Sequence, residues 1–224
     1  MIEIVCATRL PADDFATKSA LGQSLHRLAF DERLKASLAF ANRSGLPAIF
    51  NSRLLAPDSA EHLVFVHDDV WIDDYYFADR IIEGLRNFDL IGVAGNRRRV
   101  RGQPGWAFPD TTLAWDDLSN LSGAIAHGER PFGVVSSFGP APAACELLDG
   151  VLLAARKSAL AARGVLFDPR FDFHFYDMDL CRSARRAGLR LGTWPICITH
   201  QSAGAFGSER WRLMYRAYLA KWGE

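Results

Sequence analysis

The sequence has little of what would assign it to a special class. Its four cysteines, Cys6, Cys145, Cys181 and Cys197, are scattered and form no CxxC pair. That excludes a zinc ribbon and a disulfide framework, and makes a reducing cytoplasm the expected setting. Neither sign of charge is in excess. Twenty-six basic residues meet 26 acidic ones, so the electrostatic attraction behind nucleic-acid binding is missing and no nucleic-acid partner is expected. No apolar run reaches membrane-spanning length, and Ile2-Glu3-Ile4-Val5-Cys6-Ala7 opens as a strand without a charged leader. Any membrane role is therefore expected to be peripheral. What is present is 49% hydrophobic and 23% charged residues in a chain of 224, enough for one sizeable core. There is no internal repeat and no clear domain boundary.

The first 95 residues alternate strand and helix patterns, the signature of an α/β fold with a largely parallel sheet. Strands are expected over residues 2–8, 34–41, 63–66 and 90–94. Between them, Leu21, Leu25 and Leu28 mark one helix, and Pro47 opens a second that buries Ile49, Phe50 and Leu54. Phe77, Ile81, Ile82 and Leu85 mark a third, with Asp73 and Asp74 as candidate caps. From 96 to 145 the pattern dissolves into Gly, Pro, Arg and Trp, which reads as functional loops or inserted hairpins. Regularity returns with a strand over 147–155, a short helix over 157–162, a helix over 177–187 and a strand over 193–199. The tail from Ser208 to Trp222 reads as an amphipathic helix.

Chemistry concentrates where apolar strands end. Leu63-Val64-Phe65-Val66 runs into His67-Asp68-Asp69, placing two carboxylates and an imidazole at the C-terminal edge of a sheet, where ligands bind in open α/β folds. Unpaired carboxylates there are costly to bury, so they are solvated, cap the next helix, or hold a cation. A second acidic cluster, Tyr176-Asp177-Met178-Asp179, and a late strand-end histidine, His200, favour the cation. Each group alone has a plainer role, as an N-cap or a structural histidine.

In chain order these clusters resemble the GT-A glycosyltransferases, specifically the large family 2 group. The resemblance rests on Gly45-Leu46-Pro47-Ala48-Ile49-Phe50-Asn51, Phe65-Val66-His67-Asp68-Asp69-Val70, Leu148-Asp149-Gly150-Val151, Phe171 to Cys181, and Arg185-Arg186-Ala187-Gly188-Leu189-Arg190. It spans nearly the whole chain and is weakest over 96–145. It implies a single α/β, Rossmann-like GT-A domain over 1–224 with a mainly parallel, mixed central sheet flanked by helices. Within it, 1–95 would form the nucleotide-binding half, 96–145 irregular acceptor-side loops, and 146–224 the acceptor and catalytic half.

The implied activity is a hexosyltransferase-type, metal-dependent transfer of a sugar, with inversion, from a nucleotide-sugar to a hydroxyl. The donor would be a UDP-sugar by family tendency. The acceptor would be a saccharide, lipid-linked or protein acceptor, in surface polysaccharide or glycoconjugate synthesis. Mn²⁺ or Mg²⁺ would neutralise the departing diphosphate. By the resemblance the Asp-x-Asp motif falls on His67-Asp68-Asp69, making Asp69 the metal ligand and His67 and Asp68 donor contacts, with His67 in place of the first aspartate. His200 would be a further metal or phosphate ligand, and an imidazole favours manganese. The Glu-Asp pair falls on Tyr176-Asp177, making Asp177 the general base. Asp149 and Gly150 would approach the donor sugar, Thr8 and Asn51 the nucleotide. Outside the resemblance, Arg97-Arg98-Arg99-Val100-Arg101 reads as a solvated loop or as a clamp for phosphate or an anionic acceptor, and Trp106, Phe108 and Trp115 as core or lid packing or as a stack for an acceptor sugar. The competing readings are a sugar-nucleotide nucleotidyltransferase and a non-catalytic carbohydrate- or nucleotide-binding homologue.

Overall fold

The computed structural model describes residues 1–202 and 206–224. Strand and helix alternate at first as the sequence pattern requires, except that the first helix is split in two at Ser19 and an unexpected strand, β4, follows β3 directly: β1 Ile2–Ala7, α1 Ala12–Lys18, α2 Ala20–Arg27, β2 Leu34–Ala39, α3 Leu46–Leu55, β3 His62–Val66, β4 Val70–Ile72 and α4 Phe77–Asn87. Then come β5 Leu90–Gly92, β6 Ala94–Asn96, β7 Leu121–His127, β8 Val134–Gly139, β9 Ala143–Ala144, β10 Leu147–Leu148 and β11 Leu152–Arg156. The chain continues with α5 Lys157–Ala162, α6 Tyr176–Arg186, β12 Leu191–Thr193, β13 Ile198–His200 and α7 Glu209–Trp222.

The central sheet has the order β2-β1-β3-β11-β5-β12-β9. Strands β2, β1, β3, β5 and β12 run one way, and β11 and β9 run against them, so the sheet is mixed and mainly parallel as expected. β3 lies in its middle with Leu63 to Val66 fully buried, which is why its sequence is uniformly apolar rather than alternating. Against it pack Phe50 of α3 and Phe167, with ring centroids 5.0 Å from that of Phe65. Tyr176, at the start of α6, closes the cluster against Phe50 at 5.9 Å.

A second sheet, β10-β6-β7-β13-β4 with β8 on β7, takes up part of 96–145, so that of the two readings of this segment, functional loops or inserted hairpins, the hairpin holds for 121–139. Its hairpin β7/β8 falls inside that segment. Three expected strands are also broken, because the chain passes from one sheet to the other. The strand over 90–94 splits at Val93. The strand over 147–155 splits at Asp149-Gly150, and the strand over 193–199 splits around Pro195, which has no N–H to give to a ladder. The expected caps of α4 differ too. Asp74 Oδ1 accepts from Tyr76 N in the preceding turn. Asp73 is buried and accepts from Thr199 Oγ1 and Phe132 N, tying the end of β4 to β13 and to the turn between β7 and β8.

The tail helix packs over the C-terminal half. Trp211 and Tyr218 are buried. Lys221 Nζ reaches the fully buried Asp179 at 2.7 Å, and Trp222 Nε1 donates to the same carboxylate at 2.9 Å. Asp179 thus serves as a structural anchor, pointing away from the side of α6 that carries Asp177.

Candidate active site

The crossing from β3 to β4 is made by His67, Asp68 and Asp69, and the two carboxylates turn opposite ways. Asp68 Oδ2 accepts from Thr8 Oγ1 at 2.6 Å, tying the ends of β3 and β1 together. Asp69 turns toward His200, which lies at the end of β13 and pairs in register with both Val70 and His127. His200 Nε2 is 3.3 Å from Asp69 Oδ2, and His67 Nδ1 is 3.9 Å from Asp69 Oδ1. The ligand atoms of His67, Asp69 and His200 all lie within 4.8 Å of one another.

These residues fit a divalent cation. Among the described residues Asp69 Oδ1 is buried without a hydrogen-bond partner, an arrangement that costs about 1–3 kcal/mol unless something else satisfies the oxygen. Burial lowers the pKa of His67 against the pull of Asp69, so the ring is neutral near pH 7, the form that ligates. Burial would raise Asp69, but the hydrogen bond and charge of His200 outweigh it and keep the carboxylate below its ordinary range. One carboxylate and two imidazoles match manganese better than magnesium or calcium.

The second half of the site is built where β10 gives way to β11. Asp149 Oδ1 accepts from Val151 N at 2.7 Å and its Oδ2 from Trp106 Nε1 at 2.5 Å, so this side chain is held at both oxygens. Gly150 N donates to Asp177 Oδ2 at 3.0 Å. A side chain at Gly150 would put its Cβ 2.6 Å from the Tyr176 hydroxyl oxygen and 2.9 Å from Asp177 Cβ. The glycine is therefore required by the close approach of α6. That helix begins after Phe175, whose φ of +66° is unusual for a non-glycine residue and is held by packing on Trp211, Tyr215 and Tyr218. Burial, and after it the charge of Asp149, push the Asp177 carboxyl up to about 7, against the hydrogen bonds it accepts from backbone N–H groups.

Both halves open onto one cavity of about 670 Å³, whose lining includes His67, Asp68, Asp69, Asp149, Gly150, Asp177 and His200. Its far wall is aromatic. Trp115 stacks on Phe138 with centroids 5.3 Å apart and an interplanar angle of 14°. Trp106 and Phe108 meet Trp115 edge-on at 5.9 and 5.5 Å. Phe138 is buried whereas Trp115 is 54% exposed, so one face of the indole is covered and the ring is fixed by three neighbours.

Of the residues singled out in the sequence, Asn51 is not brought to the cavity. Its amide is taken up by the backbone of Phe167, donating to the carbonyl at 2.8 Å and accepting from the N–H at 3.0 Å. Thr8 is buried behind Asp68 rather than in the lining. Two members of the basic run are taken up by carboxylates of this chain, Arg98 by Asp116 and Arg99 by Glu224. Sequence reasoning missed His127 and Phe173, both lining the cavity. His127 ends β7 as His67 and His200 follow or end their strands, a signal hidden because its strand lies in the segment where the hydrophobic pattern dissolves. Phe173 lies nearly parallel to the His67 ring at a centroid distance of 5.8 Å.

A mixed α/β fold of this construction, with carboxylates and imidazoles gathered where strands leave the sheet, is the GT-A fold of glycosyltransferases. The chain belongs to the glycosyltransferase like family, whose model matches residues 38–205. Among solved structures it is similar to the catalytic domain of Drosophila β1,4-galactosyltransferase 7 in complex with xylobiose, with a TM-score of 0.52, 9% identity, and coverage of 96% of this chain and 79% of that one. It is also similar to GalNAc-T7 with UDP, GalNAc and Mn²⁺, with a TM-score of 0.50, 11% identity, and coverage of 93% of this chain but 44% of that one. No curated protein sequence matches it significantly. No helix among the described residues is long and apolar enough to cross a membrane.

Proposed function

We propose that this glycosyltransferase moves a sugar from a nucleoside-diphosphate donor, a UDP-sugar, to an acceptor hydroxyl with inversion and with Mn²⁺ as its cation. The observation that carries the reading is that Asp177, a carboxylate poised near neutral pH, shares one cavity with the Asp69, His67 and His200 cluster. A base whose pKa lies near the working pH combines a large ionised fraction with a useful driving force for proton transfer. The similarity to a structure holding UDP, GalNAc and Mn²⁺ supports the choice of nucleotide and metal.

His67, Asp69 and His200 would hold the cation, which supplies positive charge for the departing diphosphate. Asp68, held by Thr8, offers a fixed carboxylate to the nucleotide's hydroxyls. Asp149, fixed by Trp106 and Val151, orients the donor sugar. Asp177 takes the proton of the acceptor hydroxyl as its oxygen bonds to the anomeric carbon and the bond to the diphosphate oxygen breaks. A single displacement of this kind inverts the anomeric centre. The open face of Trp115 suits the apolar face of an acceptor pyranose, and the aromatic wall limits entry of water that would hydrolyse the donor.

Calorimetric titration with UDP, GDP and dTDP, with and without Mn²⁺, tests the donor site. Mn²⁺-dependent binding of UDP that disappears in Asp69→Ala is expected. Equal binding with and without metal, or none, removes the reading.

A further inference from the structure

The phenol of Tyr176 is buried and has one proton to give. Its oxygen lies 2.7 Å from the carbonyl oxygen of Gly150, an acceptor that can only receive, and 2.9 Å from His67 Nε2, which can act either way. If the phenol donated to Nε2, the buried Gly150 carbonyl would lose this donor, and no other hydrogen bond to it is made among the described residues. If the phenol donates to Gly150, every group is satisfied, and His67 must carry its proton on Nε2. The other ring nitrogen agrees. At 3.9 Å from Asp69 Oδ1, Nδ1 is too far to donate a hydrogen bond, and among the described residues that oxygen has no hydrogen-bond partner.

We propose that Tyr176 is a positioning residue for the metal centre: its hydroxyl, committed to Gly150, keeps the His67 proton on Nε2 and presents the bare Nδ1 beside Asp69 as the ligand atom. Gly150 belongs to the device, because any side chain there would displace the phenol. The ring is steadied from its other side by Phe173. A partner on the far nitrogen of a ligating histidine fixes both tautomer and orientation. Here a tyrosine–carbonyl pair takes the part that a carboxylate or a carbonyl alone plays elsewhere.

The inference rests on the proposed cation site, and the experiment separates the two. The His67 tautomer is read in metal-free, ¹⁵N-histidine-labelled protein by long-range ¹H–¹⁵N correlation, assigned by its loss in His67→Asn. Affinity for Mn²⁺ alone is read from the free-ion electron paramagnetic resonance signal. Tyr176→Phe keeps the ring that packs on Phe50 and Phe167 and removes only the hydroxyl. The expected result is an Nε2-protonated His67 in the natural protein, a mixed or Nδ1-protonated ring in Tyr176→Phe, and Mn²⁺ affinity weakened by about 10–100-fold in that variant. An Nδ1-protonated His67 in the natural protein overturns the proposal even if the variant fails to fold. So does a Tyr176→Phe protein that binds Mn²⁺ within about twofold of the natural one while Asp69→Ala does not, and in that case the cation site itself stands. Absence of Mn²⁺ binding by the natural protein removes both.

Discussion

Gly150 and Asp177 meet across the junction of the two sheets, the N–H of the first donating to Oδ2 of the second at 3.0 Å. This contact sets the floor of the cavity. It brings the start of α6 against the turn between β10 and β11, and so places Asp177, a carboxylate whose proton affinity is raised by burial, beside Asp149 and Gly150.

Asp177→Asn is expected to fold and to bind UDP with Mn²⁺ as the natural protein does. Transfer should fall at least a hundredfold, the scale lost with a general base. In the natural protein kcat/KM should rise with pH through about 7 and level off once Asp177 is ionised. Steady-state rates between pH 5.5 and 9 check both, and a variant with unchanged turnover would remove Asp177 as the base.

The same carboxylate sets a pH dependence of stability. Its folded pKa is about 7 and its unfolded value is near the ordinary 3.8. The folded state therefore binds the proton more tightly, and stability is full below about pH 4 and is lost as pH rises through 7. Asp177→Asn removes that loss. It should be more stable than the natural protein at pH 8 by about 2 kcal/mol, roughly half the full linkage value because water in the cavity screens the charge. Near pH 4 the two should match. Urea unfolding at the two pH values reads the difference.

Gly150→Ala should be costly for a reason unrelated to backbone freedom. The new methyl lies 2.6 Å from the Tyr176 hydroxyl and 2.9 Å from Asp177 Cβ, so α6 or the turn must shift. A loss of about 1–3 kcal/mol in stability is expected together with loss of transfer. Retention of both would mean that the close approach of helix and turn is not needed.

Lys221→Ala leaves the buried Asp179 with the Trp222 indole N–H as its one remaining side-chain partner among the described residues. Removing one member of a buried ion pair costs on the order of 3 kcal/mol. Denaturant unfolding should show that loss, while activity per folded molecule stays close to normal, since Asp179 faces α7 rather than the cavity.

Trp115→Ala should raise the acceptor KM while leaving UDP binding unchanged, because the indole stands on the aromatic wall away from the metal cluster. A stacked aromatic contributes about 0.5–1.5 kcal/mol beyond its buried area, so a change of about tenfold is expected. Equal loss of UDP affinity would place the donor, not the acceptor, on that wall.

The sequence by itself determined the places of β1, β2, β3 and of the helices α3 and α4 between and after them, the buried character of β3, and the strand-end position of His67, Asp69 and His200. Those features follow from local hydrophobic period and from the cost of burying charge, which act within a few residues. It also placed Asp177 at a helix start. Only the tertiary structure decided that 96–145 holds the β7/β8 hairpin, that the apolar runs at 90–94 and 147–155 change sheets part-way, and that His127 pairs in register with His200. An apolar run looks the same whether it completes one strand or crosses between two, because both sheets bury it equally. Likewise Asn51, Arg98 and Arg99 carry the chemistry of a nucleotide site but are consumed by Phe167, Asp116 and Glu224. A polar side chain bonds whatever partner the fold brings within reach, and that partner can lie more than a hundred residues away.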